Sequence, residues 1–336
     1  MPATMKSIAR DLGVSVVTVS KVLHHHTDIS AKTRKRVLRR MKEVNYQPNL
    51  SARALSTGRT GLVGLVVPDL VHPFFAQVAK GISAQLSEHG FSLIIASSEE
   101  NPKFERREID QMIARRVDAV ILASTESELH SLQKLREREV PFVLLDRKFP
   151  GFPANFVGIH DVMAGKLATE HLISVGCKTI AHIGGSDVST AQERREGYLA
   201  TLAEHGLSQA RSYAVSRGRG DDGGAAAGYA GMQELLKLNP KPDGVFCCND
   251  PIAMGAMRAI LENGLRIPAD IAIIGCGNVH YGDLLRVPLS SVDQDAAGLG
   301  ESAAKLALAV LRRTPGAPLH SVLLPAKLVI RSSTRR

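Results

Sequence analysis

From Gly61 onward, short apolar runs alternate with amphipathic stretches, and this alternation restricts the fold more than any other feature of the chain. The strand-like runs are Leu62–Val67, Phe91–Ala96, Ala119–Ala123, Phe142–Leu145, Thr179–Ile183, Gly244–Cys248 and Ile271–Gly275. Between them lie helical stretches such as Phe74–His89, Val162–Val175 and Pro251–Asn263. Strands separated by helices pair in parallel and need cover on both faces. The pattern occurs twice, and late apolar runs near Leu289–Val292 and Leu319–Pro325 read as crossovers between the two halves. The expectation is an α/β body of two lobes with parallel sheets: lobe 1 about 61–160 and 291–318, lobe 2 about 161–290 and 319–333.

Residues 1–60 are of another kind. They hold twelve Lys/Arg against three acids, a surplus equal to the +9 of the whole chain, while the remaining 276 residues balance at thirty of each sign. A basic head on a neutral body is the electrostatic footprint of a polyanion-binding module. The head reads as all-α. Thr4 is placed to cap a helix whose Ile8, Ala9 and Leu12 share a face, and Gly13 ends it. Ser15 caps a second helix running to about Leu23, with Val19, Val22 and Leu23 inward. A third starts at Ser30 and runs to about Val44 on a stripe of Val37, Leu38, Met41 and Val44. Two short helices joined through a glycine turn form a helix-turn-helix, whose second helix enters the major groove of double-stranded DNA. Val16 and Val17 then offer apolar contact to thymine methyls and Lys21 donates to guanine. Ser15 and Thr18 suit phosphate.

The runs SIARDLGVSVVTVSKVL and ISAKTRKRVLRRMKEVNYQPNLSARALSTGRT, with Asn-Tyr-x-Pro-Asn at 45–49, resemble the head and hinge of the lactose/galactose-repressor family of bacterial transcription regulators. The resemblance extends over nearly the whole chain. It implies a helix-turn-helix domain at 1–47, a hinge helix within 48–60, and a periplasmic-binding-protein-like body at 61–336 that binds effector and dimerises. In similar repressors the hinge folds on operator DNA, so Asn49, Arg53, Ala54 and Leu55 join the DNA-binding set, with Leu55 matching the leucine wedged into the minor groove. The partners implied are a near-palindromic operator, a second copy of the chain and a small effector.

Ligands of open α/β sheets bind beyond the carboxyl ends of the strands. That rule selects Asp69, His72, Phe74, Phe75, Asp146 and Arg147 from the first lobe, and Thr190, Arg194, Asn249, Asn278 and Gln294 from the second. Asp250 reads as a helix cap before Pro251. Asp146 and Arg194 match family positions that hold effector. Two departures stand out. Relatives carry an aromatic-Asp-Asp run where this chain has Cys276-Gly277-Asn278, and lactose-type relatives have a tryptophan near 223, whereas this chain has none. A sugar is the implied effector, or a sugar acid read by Arg147 and Arg194.

Composition closes off other classes. No apolar run approaches the roughly 20 residues of a membrane span and the N-terminus lacks a signal-peptide core, so a cytoplasmic protein without membrane contact is expected. Cys177, Cys247, Cys248 and Cys276 lack metal-ligand spacing, and adjacent His24, His25 and His26 cannot easily converge on one ion, so no metal or cofactor is expected. There is no phosphate loop and no Gly-x-Ser-x-Gly elbow. The chain reads as a DNA-binding regulator, a repressor, and not as an enzyme with a fused head. The competing reading is a regulator controlled by a partner protein, with a vestigial cleft.

Overall fold

A computed structural model describes residues 3–23, 26–46, 58–125, 129–185, 187–207, 213–216, 224–313 and 316–336. It divides into two compact units, residues 1–60 and 61–336.

In the first unit α1 (Met5–Leu12) is closed at both ends by its own sequence. Thr4 and Ser7 form a reciprocal capping box, and Gly13 takes φ 65°, the left-handed conformation glycine reaches without a Cβ clash. Helices α2 (Val16–Leu23) and α3 (Ala31–Glu43) follow. Ile8, Ala9, Val19, Val22, Val37 and Met41 make the core. Leu38, expected on the buried stripe, is 45% exposed because the core stripe is only as wide as Val37 and Met41.

The second unit holds β1 (Leu62–Val67), α4 (Pro73–Glu88), β2 (Ser92–Ser97), α5 (Pro102–Ala114), β3 (Ala119–Leu122), α6 (His130–Glu137), β4 (Phe142–Leu145) and β5 (Phe156–Ile159). The chain continues as α7 (Asp161–Ser174), β6 (Ile180–Gly184), α8 (Ser189–Glu204), β7 (Ala214–Ser216), α9 (Ala225–Leu235), β8 (Gly244–Cys247), α10 (Asp250–Glu262) and β9 (Ala272–Cys276). It closes with β10 (Ser290–Asp293), α11 (Ala296–Val310), β11 (Ser321–Leu324), β12 (Lys327–Val329) and a 3₁₀ turn at Ser332–Thr334. Two six-stranded sheets result, in the orders β11-β5-β4-β3-β1-β2 and β12-β10-β9-β8-β6-β7. Among the described residues every pairing is parallel except β10 with β12.

The lobe boundaries fall later than expected at both late crossovers. Ser290–Asp293 pairs with β9 and so belongs to the second sheet, and Ser321–Leu324 pairs with β5 and so belongs to the first. The chain passes between lobes at 159–161, 293–296 and 324–327. Among the described residues no helix is long and apolar enough to cross a membrane.

Candidate functional site

The reading surface of the head is built by α2. Ser15 is its cap: its Oγ accepts the Thr18 amide at 3.0 Å and meets Thr18 Oγ1 at 2.9 Å, so the two hydroxyls expected on phosphate satisfy each other here. Val16 and Val17 are 38% and 62% exposed, apolar side chains held out of the core on the first turn. Lys21 is ion-paired with Asp28. On α3, Arg36 donates to the Leu12 carbonyl at 3.0 Å and Arg40 reaches Asp11 at 2.7 Å, so these two hold the helices together. Among the described residues, Lys32, Lys35 and Lys42 have no carboxylate partner and remain available to a polyanion. Asn49, Arg53, Ala54 and Leu55 lie outside the described residues.

In the second unit the ends of the strands bring lobe 1 and lobe 2 side chains together. Asp146 follows β4 at φ 61°, is 7% exposed, and accepts Gln294 Nε2 at 3.4 Å. Arg147 lies across Glu100, with nitrogen–oxygen distances of 2.7 and 3.2 Å, and its Nη1 also donates to the Ser124 carbonyl. Arg194 of α8 donates through Nε to Asp161 at 2.8 Å and through Nη1 to the Cys248 carbonyl at 2.7 Å. Burial pushes the Asp161 carboxyl up to about 7, against the pull of Arg194. His72 caps α4 by accepting the Phe74 amide on Nδ1. Burial, then the positive charge of Arg147, holds its imidazole down at about 4, so it is neutral. Asp69 accepts the Val71 amide at 2.7 Å, and burial raises its carboxyl. Thr190, one turn before Arg194 on α8, is 7% exposed.

Four expected contacts are turned elsewhere. Phe74 and Phe75 are each 4% exposed and pack edge-to-face, ring centroids 5.1 Å apart, in the core with Val78 and Ile82. Asn249, and not Asp250, caps α10, its Oδ1 accepting the Ile252 amide at 2.8 Å. Asn278 presents its Oδ1 to Arg331 at 2.7 Å and so faces the C-terminal segment. Asp250 is instead a staple within lobe 2, accepting the Val279 amide at 2.8 Å and the Ser291 hydroxyl at 2.7 Å, with burial pushing it to about 6.

Sequence reasoning missed Glu100, Glu105 and Asp161. Asp161 follows a strand that was not recognised, β5, and the strand-end rule finds it once that strand is known. Glu105 is fully buried on α5 and accepts the hydroxyls of Ser124 and Thr125, shaping the loop after β3. All four cysteines are buried, and burial pushes the Cys248 thiol up to about 11. Among the described residues no group of three His, Cys, Asp or Glu side chains is arranged to hold a metal ion.

Residues 4–49 match the bacterial regulatory proteins of the lacI family, and residues 60–314 match the periplasmic binding proteins and sugar binding domain of that family. The chain belongs to the LacI family. This LacI-family chain is 34% identical to the transcriptional regulator GalR of Escherichia coli, over 96% of its own length and 93% of that protein. It is 32% identical to a ribose operon repressor of Halalkalibacterium halodurans, covering 99% and 97%. Among solved structures it superposes on a lac repressor dimer bound to operator and an anti-inducer, with a TM-score of 0.85, 27% identity and 99% of both chains covered. It also superposes on the regulator CelR in complex with cellobiose, with a TM-score of 0.75, 29% identity and coverage of 98% and 99%. The chain is a DNA-binding transcriptional regulator of the repressor type and not an enzyme.

Proposed function

We propose that this LacI-family regulator acts as a cytoplasmic homodimer on a near-palindromic operator, and that its grip depends on an uncharged polyhydroxylated ligand in the cleft between the lobes. The ligand class follows from one observation: both cleft arginines already face carboxylates, Arg147 with Glu100 and Arg194 with Asp161. An incoming carboxylate or phosphate competes with a partner already in place. Among the described residues Asp69 and Asp146 have no ion-pair partner, so they add repulsion. Hydroxyls suit such a site, donating to Asp146 and accepting from the N–H groups that Arg194 has left. This sets aside the sugar acid in favour of the neutral sugar.

The operator side of the proposal assigns base contact to Val16, Val17 and Lys21, and minor-groove wedging to Leu55 in the 48–60 segment. A ligand changes DNA affinity only if it binds the two arrangements of the lobes unequally.

Isothermal calorimetry tests the ligand class, using neutral pentoses, hexoses and disaccharides, ribose and cellobiose among them, each beside its aldonic acid. Saturable heat is expected from a neutral sugar and none from its acid. Saturable heat from an acid alone overturns the assignment, and silence across the panel favours control by a partner protein.

A further inference from the structure

Among the described residues, the shortest side-chain hydrogen bond and ion pair between the lobes lie beside the ligand residues and not among them. Lys148, in the segment between β4 and β5 of lobe 1, donates its backbone N–H to Ser189 Oγ at 3.0 Å, and its Nζ reaches Glu193 Oε1 at 2.9 Å. Ser189 and Glu193 are four residues apart on α8 of lobe 2, so they share one face of that helix. Gln294 to Asp146 and Gln77 to His280 also join the lobes, at 3.4 and 3.5 Å, the outer limit of a hydrogen bond. Lys148 bonds through both its backbone and its side chain, at ordinary hydrogen-bond lengths.

The chain neighbours of these three residues give the contact its meaning. Lys148 adjoins Arg147, Ser189 adjoins Thr190, and Glu193 adjoins Arg194. On a helix the next residue is turned by about 100°, so one row of α8 faces Lys148 while the adjacent row, Thr190 and Arg194, is buried. Glu193 also adds to the field that lifts the Asp161 carboxyl, the partner of Arg194. A displacement at the contact is passed through single peptide units to the groups placed at the ligand.

We propose that Lys148, Ser189 and Glu193 form a latch that registers the two halves of the cleft and so sets its affinity for ligand and the operator affinity of the unliganded protein. They are positioning residues, acting through Arg147, Thr190 and Arg194. The ligand half of the proposal rests on the cleft being the ligand site; the latch itself does not. Because Lys148 and Glu193 are 43% and 23% exposed, the pair is partly screened and its contribution is modest.

Hydrogen exchange at the Lys148 amide of the full chain reads the latch directly. Glu193→Gln and Ser189→Ala are each expected to speed that exchange about two- to fivefold with the global unfolding midpoint unchanged. The swap Lys148→Glu with Glu193→Lys is expected to restore it, and high salt to bring the wild type towards Glu193→Gln. An exchange rate unmoved by Glu193→Gln overturns the latch. The second readout is affinity for a duplex selected from a random library and for any sugar that gave calorimetric heat. Glu193→Gln is expected to shift at least one of them by a factor like that seen in exchange. If both stay fixed while exchange rises, the positioning role falls. If no sugar gives heat, the ligand-site reading fails separately and the duplex decides alone.

Discussion

Asp161 and Arg194 are 3% and 7% exposed at the side chain, so neither can lose the other cheaply. Removing one member of a buried pair leaves an uncompensated charge and costs about 3–5 kcal/mol. Arg194→Ala is therefore expected to destabilise the body by about that amount in urea unfolding, and adding Asp161→Asn to recover most of it; a double variant as unstable as the single one excludes the buried carboxylate as the cause. A second residue sets a pH dependence. His182 donates through Nδ1 to the Phe246 carbonyl at 3.0 Å, stacks on Tyr198 with centroids 5.3 Å apart, and is held at about 4 by burial. Between pH 6.5 and 4 the unfolded chain takes up a proton that folded His182 refuses. Its contribution is thus complete above pH 6.5 and is lost as pH falls towards 4, about 3 kcal/mol in all. His182→Phe is expected to lose stability at pH 7 but to show a shallower decline on acidification, measured by denaturant midpoints at pH 7 and 4.5. At this scale the sequence was only partly legible. Asp146, Arg147, Arg194 and Gln294 could be picked out because they follow strands, but nothing in the sequence showed that both arginines already face carboxyl partners. Asn249 and Asn278 obeyed the same rule and are occupied by a helix end and by Arg331, partners that only the folded chain reveals.

Helices in the body pack in pairs through glycine. A Cβ on Gly165 of α7 would lie 2.1 Å from the Arg194 carbonyl oxygen, and one on Gly197 of α8 2.0 Å from that of Val162. The same reciprocity joins α9 to α10 through Gly228 and Gly255, and α4 to α11 through Gly81 and Gly300. An exposed glycine in a helix is improved by alanine, by about 0.5–1 kcal/mol. Here Gly165→Ala is expected to do the opposite, costing about 1–3 kcal/mol as the added methyl pushes α7 and α8 apart, with a loss of ligand heat because α8 carries Thr190 and Arg194. Unfolding midpoints and calorimetry check it; a stabilised variant disproves the close approach. The strands and helices that periodicity did mark out fall within a residue or two of their observed bounds. The strands β5, β7 and β12 were not marked out. β5 is four residues including Gly158, and β7 is three residues at the sheet edge, too short for any alternation to show.

Across the whole molecule the division of labour was visible in charge alone, because the head sets twelve basic residues against three acids while the body balances thirty against thirty. Selection of the purified protein on randomised duplexes at fixed salt is expected to enrich a near-palindrome, since two heads related by a dimer axis read inverted half-sites; a single asymmetric site overturns the dimeric reading. The lobe boundaries were less legible, because β11 and β12 stand close together in the chain yet belong to different sheets. Their placement has a consequence for biosynthesis. The first sheet gains its last edge only when Ser321–Leu324 joins β5, and the second only when Lys327–Val329 joins β10. On the ribosome the basic head is complete after its first sixty residues, while both halves of the body wait for strands made near the end of translation. Until Ser321–Leu324 is made, the first sheet keeps an open edge, and any truncation before residue 321 leaves both lobes short of a strand.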